Sequence, residues 1–230
     1  MNKNLSLKIK QFFTLIALLY LTACVGHVWE YEPQTPSHHP PLIQSHLNIP
    51  PFIDERTDSA LIEWSSALAL FPFVPYSKAR VINLPDQSFM GFEGSATNKL
   101  RQALSDEIIA HNLFKTVSES DTTPKNGYIL SGTLKKFRVK SYWSFYGLSI
   151  MGIGLWYLGA PAEKIYNDVI IEFTLSDKNG KVYFQKEYIA RTSRLLGFYY
   201  NQNIFQFEES VKSVYLQLMN DLHGVITKLQ

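Results

Sequence analysis

Apolar residues at helical spacing mark two segments that should each pack one face on a hydrophobic core. The first segment is 96–112, where Leu100 and Ile108 belong to one apolar stripe. The second closes the chain, where apolar residues recur every three or four positions from Phe207 to Leu229. We therefore expect two main core helices whose opposite sides are polar and solvated.

Three other segments alternate apolar and polar residues, which is the pattern of strands with one buried face. They lie at 128–142, 168–175 and 181–192. The Asn179-Gly180 pair between the last two is a strong hairpin signal. Shorter strand signals lie at 48–56, 80–84 and 113–117. The order of elements predicts an α+β fold, a two-layer sandwich of a mixed or antiparallel sheet with two main helices on one face.

The amino-terminal segment has the composition of an export signal. Lys3, Lys8 and Lys10 precede an uncharged apolar stretch at 11–20, and small residues follow it. This order is typical of a cleaved secretory signal peptide, here residues 1–23. The apolar stretch is well short of the roughly 20 residues that a membrane-spanning helix needs.

The stretch Leu21-Thr22-Ala23-Cys24 resembles the lipobox of bacterial lipoproteins. The resemblance implies that Cys24 is linked to a diacylglycerol through its sulfur and is acylated on its new amino group. Several acyl chains would give stable membrane attachment, which one chain does not. Val25 and Gly26 stand where inner-membrane lipoproteins tend to carry an acidic residue, so the resemblance implies attachment to the outer membrane on its periplasmic face.

Removal of the signal changes the apparent charge of the chain. Cleavage before Cys24 leaves 207 of the 230 residues, and the formal charge falls from +2 to about −1 because three lysines leave with the signal. The mature chain is therefore not basic enough to indicate nucleic acid as a partner. Cys24 is the single cysteine, so no internal disulfide is expected.

Residues 24–47 are rich in proline and lack apolar periodicity, which predicts an extended tether between the lipid and one folded domain at 48–230. The tether contains four of the six histidines, but their spacing matches no closed metal site. We expect a solvated linker and no metal. These histidines are His27, His38, His39 and His46.

Two loops concentrate the aromatic residues. The segment 142–162 carries no charge, and 195–207 adds a second aromatic group. In an antiparallel meander both loops lie at the same end of the sheet. Three interpretations follow: a lid that completes the core, an exposed patch that contacts a partner or membrane, or insertion into a bilayer. The candidate contact residues are Trp143, Tyr146, Trp156, Tyr157, Phe198, Tyr199 and Tyr200.

Short motifs resemble those of envelope lipoproteins. Phe52-x-Asp54-x-Arg56, Leu113-Phe114-x-x-Val117 and the segment 128–134 are similar to a broad set that includes the curli-secretion channel subunit and the amino-terminal domain of the Tol-system translocation protein. Three other motifs resemble uncharacterised bacterial lipoproteins, a family that implies no activity and no catalytic residues. They are Pro75-Tyr76, Tyr146 to Ser149 and Phe198 to Asn201.

Catalytic motifs are absent from the sequence. It contains neither Gly-x-Ser-x-Gly nor His-Glu-x-x-His, and its Gly152-x-Gly154 lacks the lysine of a phosphate loop. We predict no enzyme and no cofactor. The favoured function is a lipid-anchored module that binds or assembles an envelope protein partner through the aromatic loops. The alternative is one subunit of an outer-membrane ring or secretion channel, for which homo-oligomers would form.

Overall fold

The predicted α+β sandwich is confirmed by a computed structural model, in which a seven-stranded mixed sheet carries its two long helices on one face. The structure describes residues 31–33, 40–56, 73, 76–83, 95–121, 127–200 and 207–229, with 76–83 described by its backbone alone. In chain order the elements are β1 Ile43–Asn48, β2 Ile53–Asp54, β3 Tyr76–Asn83, α1 Ala96–Ala110, β4 Phe114–Ser118, β5 Tyr128–Ser144, a 3-10 turn Ser149–Gly152, α2 Ile153–Tyr157, β6 Glu163–Asp177, β7 Val182–Leu196 and α3 Glu208–Thr227.

Strand β5 is the centre of the sheet. It pairs along its whole length with β6, which in turn pairs with β7, so these three strands form the predicted antiparallel meander. The other edge of β5 is shared by three short strands in succession: β1 and β2 run parallel to it and β3 runs antiparallel. Strand β4 extends the sheet beyond β1.

The two predicted core helices are α1 and α3, and they bury their apolar stripes against the sheet. Phe207, next to the first turn of α3, stacks on Phe137 of β5 with ring centroids 4.1 Å apart. The Tyr215 hydroxyl donates to the Leu100 carbonyl over 2.6 Å and so joins the two helices. Burying one such side chain contributes about 1.5–3 kcal/mol to stability. This layer therefore fixes the two long helices against one face of the meander.

The folded part begins earlier than the predicted boundary at residue 48. Strand β1 starts at Ile43, and Leu47 is fully buried, so the end of the predicted tether is a sheet strand. Tyr31 also docks on the domain, where its hydroxyl donates to Glu107 over 2.8 Å and its ring meets Tyr215 edge-on. Cys24 and the signal segment lie outside the described residues.

Other boundaries differ because of local chemistry. The predicted strand 48–56 divides into β1 and β2, because Pro50 and Pro51 supply no amide donor for the ladder. The strand expected at 80–84 runs from Tyr76 to Asn83. Apolar residues at helical spacing also predict a short helix at 59–70, a segment that lies outside the described residues. The hairpin at Asp177 forms as expected, with Gly180 at a positive φ of 82°.

Candidate contact surface at the aromatic end

The uncharged connection between β5 and β6 folds into a compact cap of two short helical turns. The Trp156 indole N–H donates to the Ser144 carbonyl over 2.7 Å, which ties α2 to the end of β5. The Tyr146 hydroxyl donates to the Pro161 carbonyl over 2.5 Å and closes the opposite side of the loop. Tyr146 and Ser149 adopt left-handed backbone conformations, with φ of 56° and 54°, which residues other than glycine rarely adopt. Polar bonds thus hold this apolar segment in one shape.

Gly152 allows the cap to close on the sheet. A Cβ atom at this position would lie 2.1 Å from the Phe145 carbonyl oxygen, far inside contact distance. Gly154, two residues later, has open space around it. Of these two glycines, Gly152 is therefore the one required by the close approach of backbone to backbone.

The second aromatic loop meets the first, as the strand order predicted. The Phe198 ring packs edge-on against Trp156 and Tyr157, with centroids 5.8 and 5.0 Å away. The Tyr199 hydroxyl donates to the Tyr157 carbonyl over 3.0 Å. The aromatic loops therefore form one surface, which we call the aromatic tip: residues 145–162 and 196–200.

The tip has a buried base and an exposed crown. Phe145 and Leu196 are buried at the base, so part of the segment completes the core as the lid interpretation proposed. Tyr157 and Tyr199 are 64% and 68% exposed, although their rings are large and apolar. The lid interpretation thus describes the base alone.

The candidate residues divide between these two layers. Trp143, at the end of β5, is half-buried with its ring against Phe145, and Trp156 is also half-buried. Tyr146, Phe198 and Tyr200 are 36% to 40% exposed and line the sides. Trp143 is thus part of the base and is not brought into the crown.

Several crown residues were missed as candidates. Met151 and Leu158 are 81% and 82% exposed, and Leu148 and Ile150 are more than half exposed. Phe73 joins them: its amide donates to the Gly147 carbonyl over 2.9 Å, and it is 87% exposed. The signal for their exposure in the sequence was the spacing of glycines in 142–162. A loop that glycines break into short pieces cannot bury every apolar residue that it carries.

Insertion of residues 142–162 as one helix is not what the structure shows, because residues up to Ser144 belong to β5 and α2 has five residues. Within the described ranges, no helix is long and apolar enough to cross a membrane. Over the same ranges, no group of three His, Cys, Asp or Glu side chains is placed to hold a metal ion. Both ring nitrogens of His46 instead lie 2.9 Å from hydroxyls, those of Thr116 and Ser118.

Comparison with known proteins shows a likeness of fold alone. No protein-family model matches the sequence, and no curated protein matches it. Among solved structures, protein XCC0632 from Xanthomonas campestris, of family DUF330, is 12% identical with a TM-score of 0.50, and the match covers 88% of this chain and 98% of that one. The likeness fits the expected resemblance to an uncharacterised bacterial family, at the level of the fold.

Two further solved structures are less similar. One is an uncharacterised protein, 11% identical, with a TM-score of 0.36 over 86% of this chain and all of that one. The other, from Helicobacter pylori, is described as a homolog of a neuraminyllactose-binding hemagglutinin; it is 8% identical, with a TM-score of 0.34 over 90% of this chain and 94% of that one. Scores this low carry no functional inference.

Proposed function

We propose that this protein is a lipid-anchored envelope lipoprotein that holds a protein partner at the aromatic tip and performs no catalysis. Cys24 is its attachment point, and the outer membrane facing the periplasm is its location. The motifs in the chain that resemble the lipobox, the curli-channel subunit and the Tol domain support this assignment.

The observation that carries the proposal is the ordered exposure of the crown. Tyr157 and Tyr199 project large rings into solvent while a hydrogen bond fixes the two loops to each other. A contiguous apolar patch on a folded protein usually marks an interaction site. Tyrosine suits such a site because it offers a rigid apolar ring and a polar tip at low entropic cost. Preorganisation of the loops lowers the ordering cost of binding.

Photocrosslinking in cells tests the contact. A benzophenone amino acid at Tyr157 or Tyr199 should give a covalent adduct with another protein, identified by mass spectrometry. The matched control is Asn179, an exposed turn residue at the opposite end of the meander, which should give none. Equal yields from all three positions, or no protein adduct from the crown, would exclude the proposed contact. An adduct of twice the chain's mass would indicate self-assembly, as the ring alternative requires.

The anchor has a separate test. Cells fed labelled palmitate should incorporate label into the wild-type chain and lose it in Cys24→Ser. The variant chain should also leave the membrane fraction, because acyl chains supply the attachment. Asn179→Cys/Cys24→Ser is the matched control, since it restores one thiol at an exposed turn of the mature chain, outside the lipobox, and should remain unlabelled. Retention of the label in Cys24→Ser would contradict lipidation at this residue.

A further inference from the structure

The sheet face that is not covered by α1 and α3 carries a basic groove of about 650 Å³ near the aromatic tip. Its charged lining comes from β5, β6 and β7, and consists of Lys136, Arg138, Lys140, Lys164, Arg191 and Asp168. We call this set the basic groove. It holds five cations and one carboxylate, in a mature chain whose formal charge is slightly negative.

Register brings these charges together. Arg138 lies opposite Asp168, and Asp168 lies opposite Arg191, so one row crosses three strands. The next row toward the tip pairs Lys140 with Tyr166, and the row after it pairs Tyr142 with Lys164. Side chains two residues apart share a face of a strand. The cations therefore extend along the face as a column rather than as scattered surface charges.

Asp168 is the one carboxylate among the described residues that line the groove. Asp168 lies 3.3 Å from Arg138, 3.7 Å from Lys136 and 3.8 Å from Arg191. It is 16% exposed, and so it holds three cations in place from the floor of the groove. Lys140 and Lys164 sit in the rows nearer the tip, and the described residues that line those rows include no acidic side chain. The described part of the lining therefore has a formal excess of four positive charges.

The lining is also amphipathic. The Lys164 ammonium lies 5.0 Å from the centroid of the Tyr166 ring, which meets Tyr142 edge-on at 5.7 Å. Leu195, opposite Lys164, is 45% exposed, and Ile189, which shares the row of Lys136 at the other end of the groove, is 49% exposed. Apolar surface thus borders the cations at both ends, and on one side it leads into the aromatic tip.

We propose that the basic groove binds the headgroup of an anionic phospholipid, with the acyl part lying on the apolar border toward the tip. Lysine and arginine are the usual partners of phosphate oxygens. Aromatic residues beside them suit the boundary between a lipid headgroup and its chains. A groove of this size takes one headgroup, which argues against an extended polyanion. The inference uses a different face from the partner contact proposed above and does not depend on it.

Native mass spectrometry of the full chain in an uncharged maltoside detergent tests this assignment. The probes are dioleoyl-phosphatidylglycerol, dioleoyl-phosphatidylcholine and inorganic phosphate. We expect the wild-type protein to bind phosphatidylglycerol at least about tenfold more tightly than phosphatidylcholine. A lysine near an anionic lipid surface contributes roughly the binding free energy that corresponds to a tenfold difference in affinity. Lys140→Glu/Lys164→Glu should abolish the preference.

The matched control is Lys115→Glu/Lys178→Glu, which makes the same charge change at two exposed residues outside the groove and should keep the preference. Lys140→Gln/Lys164→Gln, measured in parallel with circular dichroism, removes the charge without adding an acid and should also weaken it. Equal binding of both lipids by the wild type, or a preference that survives in a folded groove variant, would overturn the proposal. Inorganic phosphate that competes as strongly as the lipid would also overturn it, since the site would then recognise a free anion.

Discussion

Glu107 is a fully buried carboxyl on α1, and two side chains satisfy it. Tyr31 donates its hydroxyl to one carboxyl oxygen, and His111 Nε2 lies 3.1 Å from the other. Burial, followed by the hydrogen bond to Glu107, raises the pKa of Tyr31 well above its usual value. The hydroxyl therefore stays protonated and remains a donor at any physiological pH.

Tyr31→Phe should lower the free energy of unfolding by about 1.5–3 kcal/mol, because a buried acceptor loses its donor while the ring contact with Tyr215 is kept. Urea denaturation of the two proteins measures the difference. Tyr183→Phe is the control: its hydroxyl bond to Asp177 is longer, at 3.3 Å, and more exposed, so this substitution should cost clearly less than Tyr31→Phe. Equal costs for the two variants would show that Tyr31 contributes no anchoring bond.

Asp221 of α3 gives the stability a defined pH dependence. Hydrogen bonds from Lys186 and then Tyr188 lower the pKa of this carboxyl below its ordinary value. A carboxyl whose pKa is lowered in the folded state stabilises the protein at pH values above its unfolded-state pKa of about 3.9. This stabilisation is lost as the pH falls through the folded-state pKa. Asp221→Asn should thus destabilise at pH 7 by less than about 1 kcal/mol, since the pair is partly exposed. The deficit should shrink below about pH 4 in urea titrations.

Asp106 of α1 is the control of opposite sign. Burial and then the nearby Glu119 raise the pKa of this carboxyl, so its ionised form is disfavoured in the folded state. Asp106→Asn should leave stability at pH 7 unchanged or higher. A loss of stability in Asp106→Asn as large as that in Asp221→Asn would contradict both assignments.

At the scale of elements, the cap between β5 and β6 depends on one glycine. Gly152→Ala places a methyl group against the Phe145 carbonyl, and we expect it to cost about 1–3 kcal/mol and to change the near-ultraviolet circular dichroism of the tip. Gly154→Ala adds the same methyl group into open space within α2, so it should be neutral or slightly stabilising. Identical spectra and midpoints for the two variants would show that the close approach is not required.

The long elements could be predicted from the sequence because each of them has a strong period. Helix α3 and strands β5 and β6 bury apolar residues along one face over fifteen or more residues, so local pattern and tertiary burial agree. The cap offered no such period. Its shape depends on hydrogen bonds such as that from the Trp156 indole to the Ser144 carbonyl. Composition and periodicity do not predict which residues form such bonds. Strand order still predicted that the two loops would meet.

At the scale of the whole molecule, the two candidate surfaces differ in how far the sequence alone could predict them. The aromatic tip is concentrated in two sequence segments, so its residues could be named in advance even though the exposure of Met151 could not. The basic groove is assembled from every second residue of three strands. Lys136, Arg138 and Lys140 alternate visibly along β5, but Asp168 and Arg191 join them through cross-strand register alone. The register between strands is set by the complete sheet, and the pattern of a single strand does not determine it.

Under the proposed lipidation of Cys24, the docking of Tyr31 limits how far the folded domain can lie from the membrane. Tyr31 lies seven positions after Cys24, and a fully extended chain spans at most about 3.6 Å per position, so this proposed linker is no longer than about 25 Å. A domain of this size has a radius of gyration of roughly 16 Å. The linker between Cys24 and Tyr31 is therefore shorter than the diameter of the domain. A domain anchored in the proposed way would stay in a thin layer next to its own bilayer, where it would meet neighbours in that membrane far more often than proteins across the compartment.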